Sequence, residues 1–235
     1  MKAGAVAMID GLGFRGIWDR YPPTEVMTNM HELKRRVESD LQQIGAQPEM
    51  QFDVTFLSDT IVLGLSLSPS IPNHIALSAI YVSDIVSRIL AYSARSSTPI
   101  TYRGAIACGE YEIDANFIMG RAIDDAASCY ESADAAIVWL APSASEPVGS
   151  WLQGQQNNTH LVKHSVPLKG GASFYTYTLS PLVQAVDQKD AEMISMALLS
   201  TFRGSGVAIA VKRQNTIRHL QSCFLWRKWT APPDL

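Results

Sequence analysis

The chain has 235 residues, 47% hydrophobic and 17% charged, a length and balance that exclude a disordered or fibrous protein and allow one sizeable core. Nineteen basic against 22 acidic side chains give a net charge of −3, so no global basic field exists to hold nucleic acid or an anionic membrane, and a polyphosphate ligand needs local cations. Cys108, Cys129 and Cys223 fit neither a disulfide framework nor a Cys-x-x-Cys zinc site, and there is no basic-then-apolar leader, so the expectation is a soluble, cytoplasmic protein with reduced thiols.

Residues 3–9 form an apolar run that ends in Asp10 and a glycine cluster, which reads as a core strand buried on both faces. Met30, Leu33, Val37, Leu41 and Ile44 recur in steps of three and four, the pattern of an amphipathic helix over 24–44. The β-rich runs 51–57 and 60–67 flank Ser58-Asp59, which predicts a hairpin with a carboxylate at its turn. Ile75, Ala79, Val82, Val86 and Ile89 mark a second helix, closed by a Ser-Ser-Thr-Pro cluster before Ile100.

A strand is expected over 100–108, the turn and second arm of a hairpin over 109–116, a helix over 121–133 and a strand over 137–140. Residues 143–158, rich in Ser, Gly, Pro, Gln and Asn, read as a surface excursion pinned by Trp151. A strand at 174–179 and helices at 190–199 and 216–229, parted by Gly204-Ser-Gly206, complete the chain. This order describes an α+β, ferredoxin-like single domain, a mostly antiparallel sheet covered by helices. Its core spans about residues 1–180 and a helical extension about 181–235.

Two readings compete for the first loop. Gly11-Leu-Gly13-Phe-Arg-Gly16 matches the dinucleotide fingerprint, but Trp18, Pro22 and Pro23 interrupt the helix that fingerprint requires, and Asp10 sets a negative charge beside a pyrophosphate. The other reading pairs Asp10 with Asp59. Two carboxylates at one point repel unless a cation lies between them, and a divalent ion with phosphate oxygens meets that demand. On spacing alone, two unrelated strand-end caps remain the simpler account. His31, His74, His160, His164 and His219 show no ligand spacing and are expected on the surface or on helix faces.

Five segments, in order, resemble the class III nucleotidyl cyclases. Val6-Ala-Met-Ile-Asp10-Gly-Leu-Gly-Phe14 is similar to that family's first strand, and Phe56-Leu-Ser-Asp59-Thr resembles its second metal hairpin. Tyr102-Arg-Gly-Ala-Ile106-Ala-Cys-Gly109 resembles its Arg-x-Gly-Ile-x-x-Gly strand, and Gly120, Ala126 and Glu131 follow the pattern after it. Pro167-Leu-Lys169-Gly-Gly with Tyr175-Thr-Tyr177 is similar to the late Lys-Gly-x-Gly and Thr-Tyr segment.

The resemblance implies the class III cyclase fold and a head-to-tail homodimer with shared active sites, turning a nucleoside triphosphate into a 3′,5′-cyclic monophosphate and pyrophosphate. It also implies two divalent ions, Mn²⁺ or Mg²⁺, on Asp10, Asp59 and the carbonyl of Gly11, with backbone N–H groups of Gly11, Leu12, Gly13 and Phe14 on the phosphates. The sequence departs from the family at four positions. Thr55 and Phe117 stand at the two base-reading positions, Asp124 at the ribose-orienting Asn, and Ser128 at the transition-state Arg. Another cation must then serve, from Arg121, Arg103, Arg15 and Lys169, with Lys169 first on motif match. The catalytic set is thus Asp10, Asp59, Lys169 and Arg121, and Thr55, Phe117 and Asp124 contact substrate.

With both purine determinants replaced, the chain resembles the bacterial pyrimidine cyclases of Pycsar anti-phage defence. That implies UTP or CTP as substrate, a separate effector protein activated by cUMP or cCMP, and neither nucleic acid nor membrane as partner. An adenylate cyclase with an unusual base pocket and a non-catalytic cyclase-like nucleotide-binding dimer are the alternatives.

Overall fold

A computed structural model describes residues 1–44, 48–114, 117–153, 160–233 and 235. Its strands are β1 (Lys2–Leu12), β2 (Met50–Leu57), β3 (Thr60–Leu67), β4 (Thr101–Ile113), β5 (Ile118–Met119), β6 (Val138–Leu140), β7 (Leu161–Pro167) and β8 (Ser173–Leu179). The helices are α1 (Pro23–Ile44), α2 (His74–Ala94), α3 (Arg121–Cys129), α4 (Pro142–Leu152), α5 (Gln188–Leu199) and α6 (Val207–Trp226). The sheet runs β2-β3-β1-β4-β6-β8-β7, with β5 paired to β4 beside this path. Among the described residues only the β4–β6 pairing is parallel, so the architecture is the expected α+β, mostly antiparallel one.

Central β1 is buried on both faces, and its period of two divides the core. Ala5, Ala7 and Ile9 face Leu33 and Val37 of α1 and Val82 and Val86 of α2, while Val6 and Met8 face Ala122 and Ile123 of α3. Asp10 therefore falls on the α3 face. Apolar α2 is long enough to cross a membrane, yet most of it is buried against this sheet. Leu182, Ile194, Leu198, Leu220 and Phe224 form a second cluster that reaches Ala94 of α2 and Val162 of β7, which ties α5 and α6 to the main body.

The structure corrects several sequence expectations. β4 runs unbroken through Gly109 because β1 pairs with it from Leu12–Thr101 to Lys2–Tyr111. The second arm of its hairpin is only the two-residue β5; residues 115–116 lie outside those described. α3 stops at Cys129, four residues early, since Ala133 bridges Leu168 and the Asp134 N–H donates to the Pro167 carbonyl at 2.8 Å. The expected excursion over 143–158 is largely α4, opened by Pro142 and held by fully buried Ala144 and Val148; residues 154–158 lie outside those described. β7 had no sequence signal, and α6 begins nine residues before the expected 216.

Candidate active site

The β1–β3 and β1–β4 registers place Asp10 between Thr60 and Arg103, and the tight β2–β3 turn, with Ser58 at φ 59, brings Asp59 beside it. The Gly11 N–H donates to the Asp59 carbonyl at 3.1 Å. A Cβ on Gly11 would stand 3.3 Å from Asp59 Cβ and 3.2 Å from Ile100 Cγ2, so a side chain there would press on the hairpin turn and push its neighbours back by a few tenths of an ångström. Thr60 Oγ1 donates to Asp10 Oδ1 at 3.2 Å. Burial first and the Asp59 charge second hold the Asp10 carboxyl above its ordinary range, against the opposing pull of Thr60 and Arg103.

A chain of charges leads away from Asp10. Arg103, 8% exposed, places Nη2 3.5 Å from Asp10 Oδ2 and donates from Nη1 to the Glu131 carbonyl at 3.3 Å. The Glu131 carboxylate lies 3.7 Å from Arg103 and 3.9 Å from Lys169 Nζ, and it accepts from the Tyr130 hydroxyl at 3.0 Å. Lys169 is exposed, on a turn shaped by Gly170 and Gly171 at φ 87 and 88. Arg103, ranked below Lys169 from the sequence, is thus the cation that meets Asp10 directly.

After Leu12 the chain enters a left-handed residue, Gly13 at φ 73, and a short 3-10 turn from Phe14 to Asp19. As the first residues of a helical turn, Phe14 and Arg15 have backbone N–H groups without intrahelical acceptors. The Gly11 N–H is taken by Asp59 and Leu12 is paired with Thr101 in the β1–β4 ladder, so of the four amides expected for phosphate, Gly11 and Leu12 drop out and those of Gly13 and Phe14 lie beyond the strand. The Arg15 side chain lies outside those described.

The other expected residues stand apart from this cluster. Thr55 of β2, opposite Val62 of β3, is half-buried two strands from β1. Phe117 is 60% exposed at the β4–β5 hairpin. Exposed Arg121 and Asp124 occupy the first turn of α3, whose opposite end, about 12 Å along the axis, leads into Glu131. Ser128 Oγ donates to the Asp125 carbonyl at 2.8 Å.

No protein-family model matches the chain, and no curated protein does. Solved structures do. The catalytic core of a rhodopsin-guanylyl cyclase with converted specificity, in complex with ATPαS, superposes with a TM-score of 0.52 at 17% identity, over 76% of this chain and 95% of that one. The guanylate cyclase domain of RhGC from Catenaria anguillulae, in complex with GTP, gives 0.52 at 16% identity, over 76% and 96%. The adenylyl cyclase CyaB from P. aeruginosa gives 0.51 at 12% identity, over 76% and 93%. The fold is that of class III cyclase catalytic domains.

Within this cyclase fold, Asp10, Asp59 and the nearby backbone form an all-oxygen donor set, the chemistry that Mg²⁺ and Mn²⁺ take. Among the described residues no three His, Cys, Asp or Glu side chains converge, so carbonyl or ligand oxygens must complete any metal shell. Asp59, which raises the Asp10 pKa, makes the pair one that a cation relieves. Burial pushes the Cys108 and Cys223 thiols up to about 12 and His219 down to about 3. Contrary to the expected surface or helix-face position, His160 is buried outside any helix, and His219 is buried on a face of α6. A pocket of about 340 Å³ lies elsewhere, between α1 and the end of α2, lined by Asn29, Arg36, Tyr92 and Thr98.

Proposed function

We propose that the chain is a nucleotidyl cyclase that converts a pyrimidine nucleoside triphosphate, UTP or CTP, to its 3′,5′-cyclic monophosphate and pyrophosphate. The observation that carries this reading is the meeting of Asp10 and Asp59 immediately before a glycine turn, on a fold shared with solved guanylyl and adenylyl cyclases. In this reading Asp10, Asp59 and the Gly11 carbonyl hold two divalent ions, Mg²⁺ or Mn²⁺, which lower the pKa of the 3′-hydroxyl and neutralise the phosphates. The backbone N–H groups of Gly13 and Phe14 orient the phosphates. Arg103, fixed by the Glu131 carbonyl, and Lys169, drawn in by the Glu131 carboxylate, carry positive charge to the leaving pyrophosphate in place of the cation absent at Ser128.

Thr55 reads the base through a hydroxyl that both donates and accepts, Phe117 walls the pocket, and Asp124 accepts from a ribose hydroxyl, with Arg121 beside it. These residues lie away from the carboxylates of their own chain, so a second copy, paired head to tail, supplies them. Residues 1–235 form a single cyclase domain, one half of that catalytic dimer. Loss of both purine-reading side chains supports a pyrimidine substrate and, through the likeness to Pycsar cyclases, a cytoplasmic role in anti-phage defence with a separate effector that binds cUMP or cCMP.

One observation favours a second reading, a non-catalytic nucleotide-binding dimer: Ser128 turns its hydroxyl onto its own helix and offers no charge. The test is incubation of wild type and Asp59→Ala with ATP, GTP, CTP and UTP, each with Mg²⁺ and with Mn²⁺, and identification of products by mass spectrometry. A cyclic pyrimidine nucleotide absent from the variant is the expected result. Cyclic AMP alone makes the protein an adenylate cyclase; intact triphosphates bound by wild type select the second reading.

A further inference from the structure

We infer that Arg20 is a positioning residue for the turn that binds the phosphates, and this rests on the nucleotide reading above. Arg20 follows the 3-10 turn and reaches back across it. Its Nη2 donates to the Gly13 carbonyl and its Nε to the Gly16 carbonyl, both at 3.3 Å. The Gly13 carbonyl also accepts the Gly16 N–H at 3.2 Å, and the Arg20 N–H donates to the Ile17 carbonyl at 3.0 Å. The guanidinium thereby closes the turn onto its own first residue.

Planarity of the peptide bond gives this clamp a consequence for ligand binding. The Gly13 carbonyl and the Phe14 N–H belong to one peptide plane and point in opposite directions, so holding the carbonyl toward Arg20 aims the N–H away from it. An anion that uses the Phe14 amide thus meets a donor already oriented, with no reorganisation left to make. The left-handed Gly13, at φ 73, is the residue that lets the chain reverse there. On the other flank the Thr201 carbonyl stands 3.5 Å from where a Gly13 Cβ would lie, so the α5–α6 connection passes close to the same turn.

Charge adds to geometry. Among the described residues Arg20 pairs with no carboxylate; its remaining contact is the Tyr21 ring, 5.5 Å from its guanidinium carbon. A full positive charge therefore sits within one side chain of the turn. Two carbonyls held by one planar fork is an arrangement that the single ammonium of lysine does not reproduce. The ligand class that gains most is a nucleoside triphosphate, whose terminal phosphates carry the most charge.

The experiment is calorimetric titration of wild type, Arg20→Lys and Arg20→Ala with inorganic tripolyphosphate, UTP, CTP, ATP, GTP and UMP in Mg²⁺, with thermal midpoints measured alongside. Both variants should keep the wild-type midpoint to within a few degrees. They should bind tripolyphosphate and the preferred triphosphate at least tenfold more weakly, with UMP affinity changed less than twofold. Tripolyphosphate affinity within twofold of wild type in Arg20→Ala, full rescue by lysine, or an equal loss for UMP and tripolyphosphate overturns the role of Arg20. Wild type that binds neither tripolyphosphate nor any of the four triphosphates overturns the nucleotide reading itself, and this inference with it, before a variant is examined.

Discussion

Arg103 Nη2 lies 3.5 Å from Asp10 Oδ2, and the two residues face each other directly in the β1–β4 register. Both are mostly buried, at 10% and 18% side-chain exposure, so the pair is shielded from solvent screening. Replacing Arg103 by Met leaves Asp10 against Asp59 with only the Thr60 hydroxyl to satisfy it. The expected cost is about 3 kcal/mol in urea denaturation of the metal-free protein. Adding Asp10→Asn to that variant should recover part of the loss; full additivity of the two changes would show that the pair is not coupled.

The raised Asp10 pKa fixes the sign of a second effect. An acid whose folded pKa exceeds its ordinary value of 3.8 binds protons more tightly when folded, so its stabilising contribution is complete below 3.8 and is lost as pH rises through the folded value. Asp10→Asn, which mimics the protonated form, should raise the thermal midpoint of metal-free protein at pH 7 and cease to do so below about pH 3.8. Mg²⁺ or Mn²⁺ should raise the wild-type midpoint and leave Asp10→Asn unmoved.

His219 gives the opposite slope. Burial first and the neighbouring His164 second push its pKa from 6.5 to about 3, so the unfolded chain takes up a proton over that interval and the folded one does not. Stability therefore falls as pH drops from 6.5 toward 3. Urea midpoints of His219→Gln, which keeps a polar group near Thr178 but does not titrate, should flatten that limb.

Two glycines should respond very differently to alanine. A Cβ on Gly104 would stand 2.3 Å from the Met8 carbonyl and 2.6 Å from Ile9 Cγ2, so the β1–β4 pairing must open; a loss of about 3 kcal/mol is expected. Gly171 has open space around it and only its φ of 88 to disfavour a side chain, for about 1 kcal/mol. Denaturation curves of the two single variants measure the contrast.

Elements rich in apolar residues were legible in the sequence: α1 by its helical period, the β2–β3 hairpin by its two β-rich runs, and β1 by its continuous apolar run, though that strand continues to Leu12, three residues past the expected end. β7 was not, because an edge strand bearing Lys163, His164 and Ser165 has no need of apolar alternation. The start of α6 was missed for a related reason. Val207, Ala208, Ala210 and Val211 are exposed, and burial begins at Thr216, where the expected helix also began.

The candidate site divides in the same way. Asp10, near the end of β1, and Asp59, in the β2–β3 turn, could be placed from sequence, but spacing alone left two unrelated caps the simpler account, and only the resemblance to class III cyclases favoured the pair. The approach of Glu131 to Arg103 and Lys169 depends on the chain turning back after Cys129, and the Arg20 clamp depends on a 3-10 turn with no periodic signal of its own.

The length of β4 has a consequence for dosage. From Arg103, beside Asp10, to Ile113, at the hairpin that carries Phe117, the strand advances ten residues, roughly 33 Å. If the groups at both ends serve one nucleotide, a lone copy holds two half-sites that never meet. Output at low abundance then rises with the square of copy number, so the number of chains a cell makes sets a threshold below which substrate, however plentiful, goes unused.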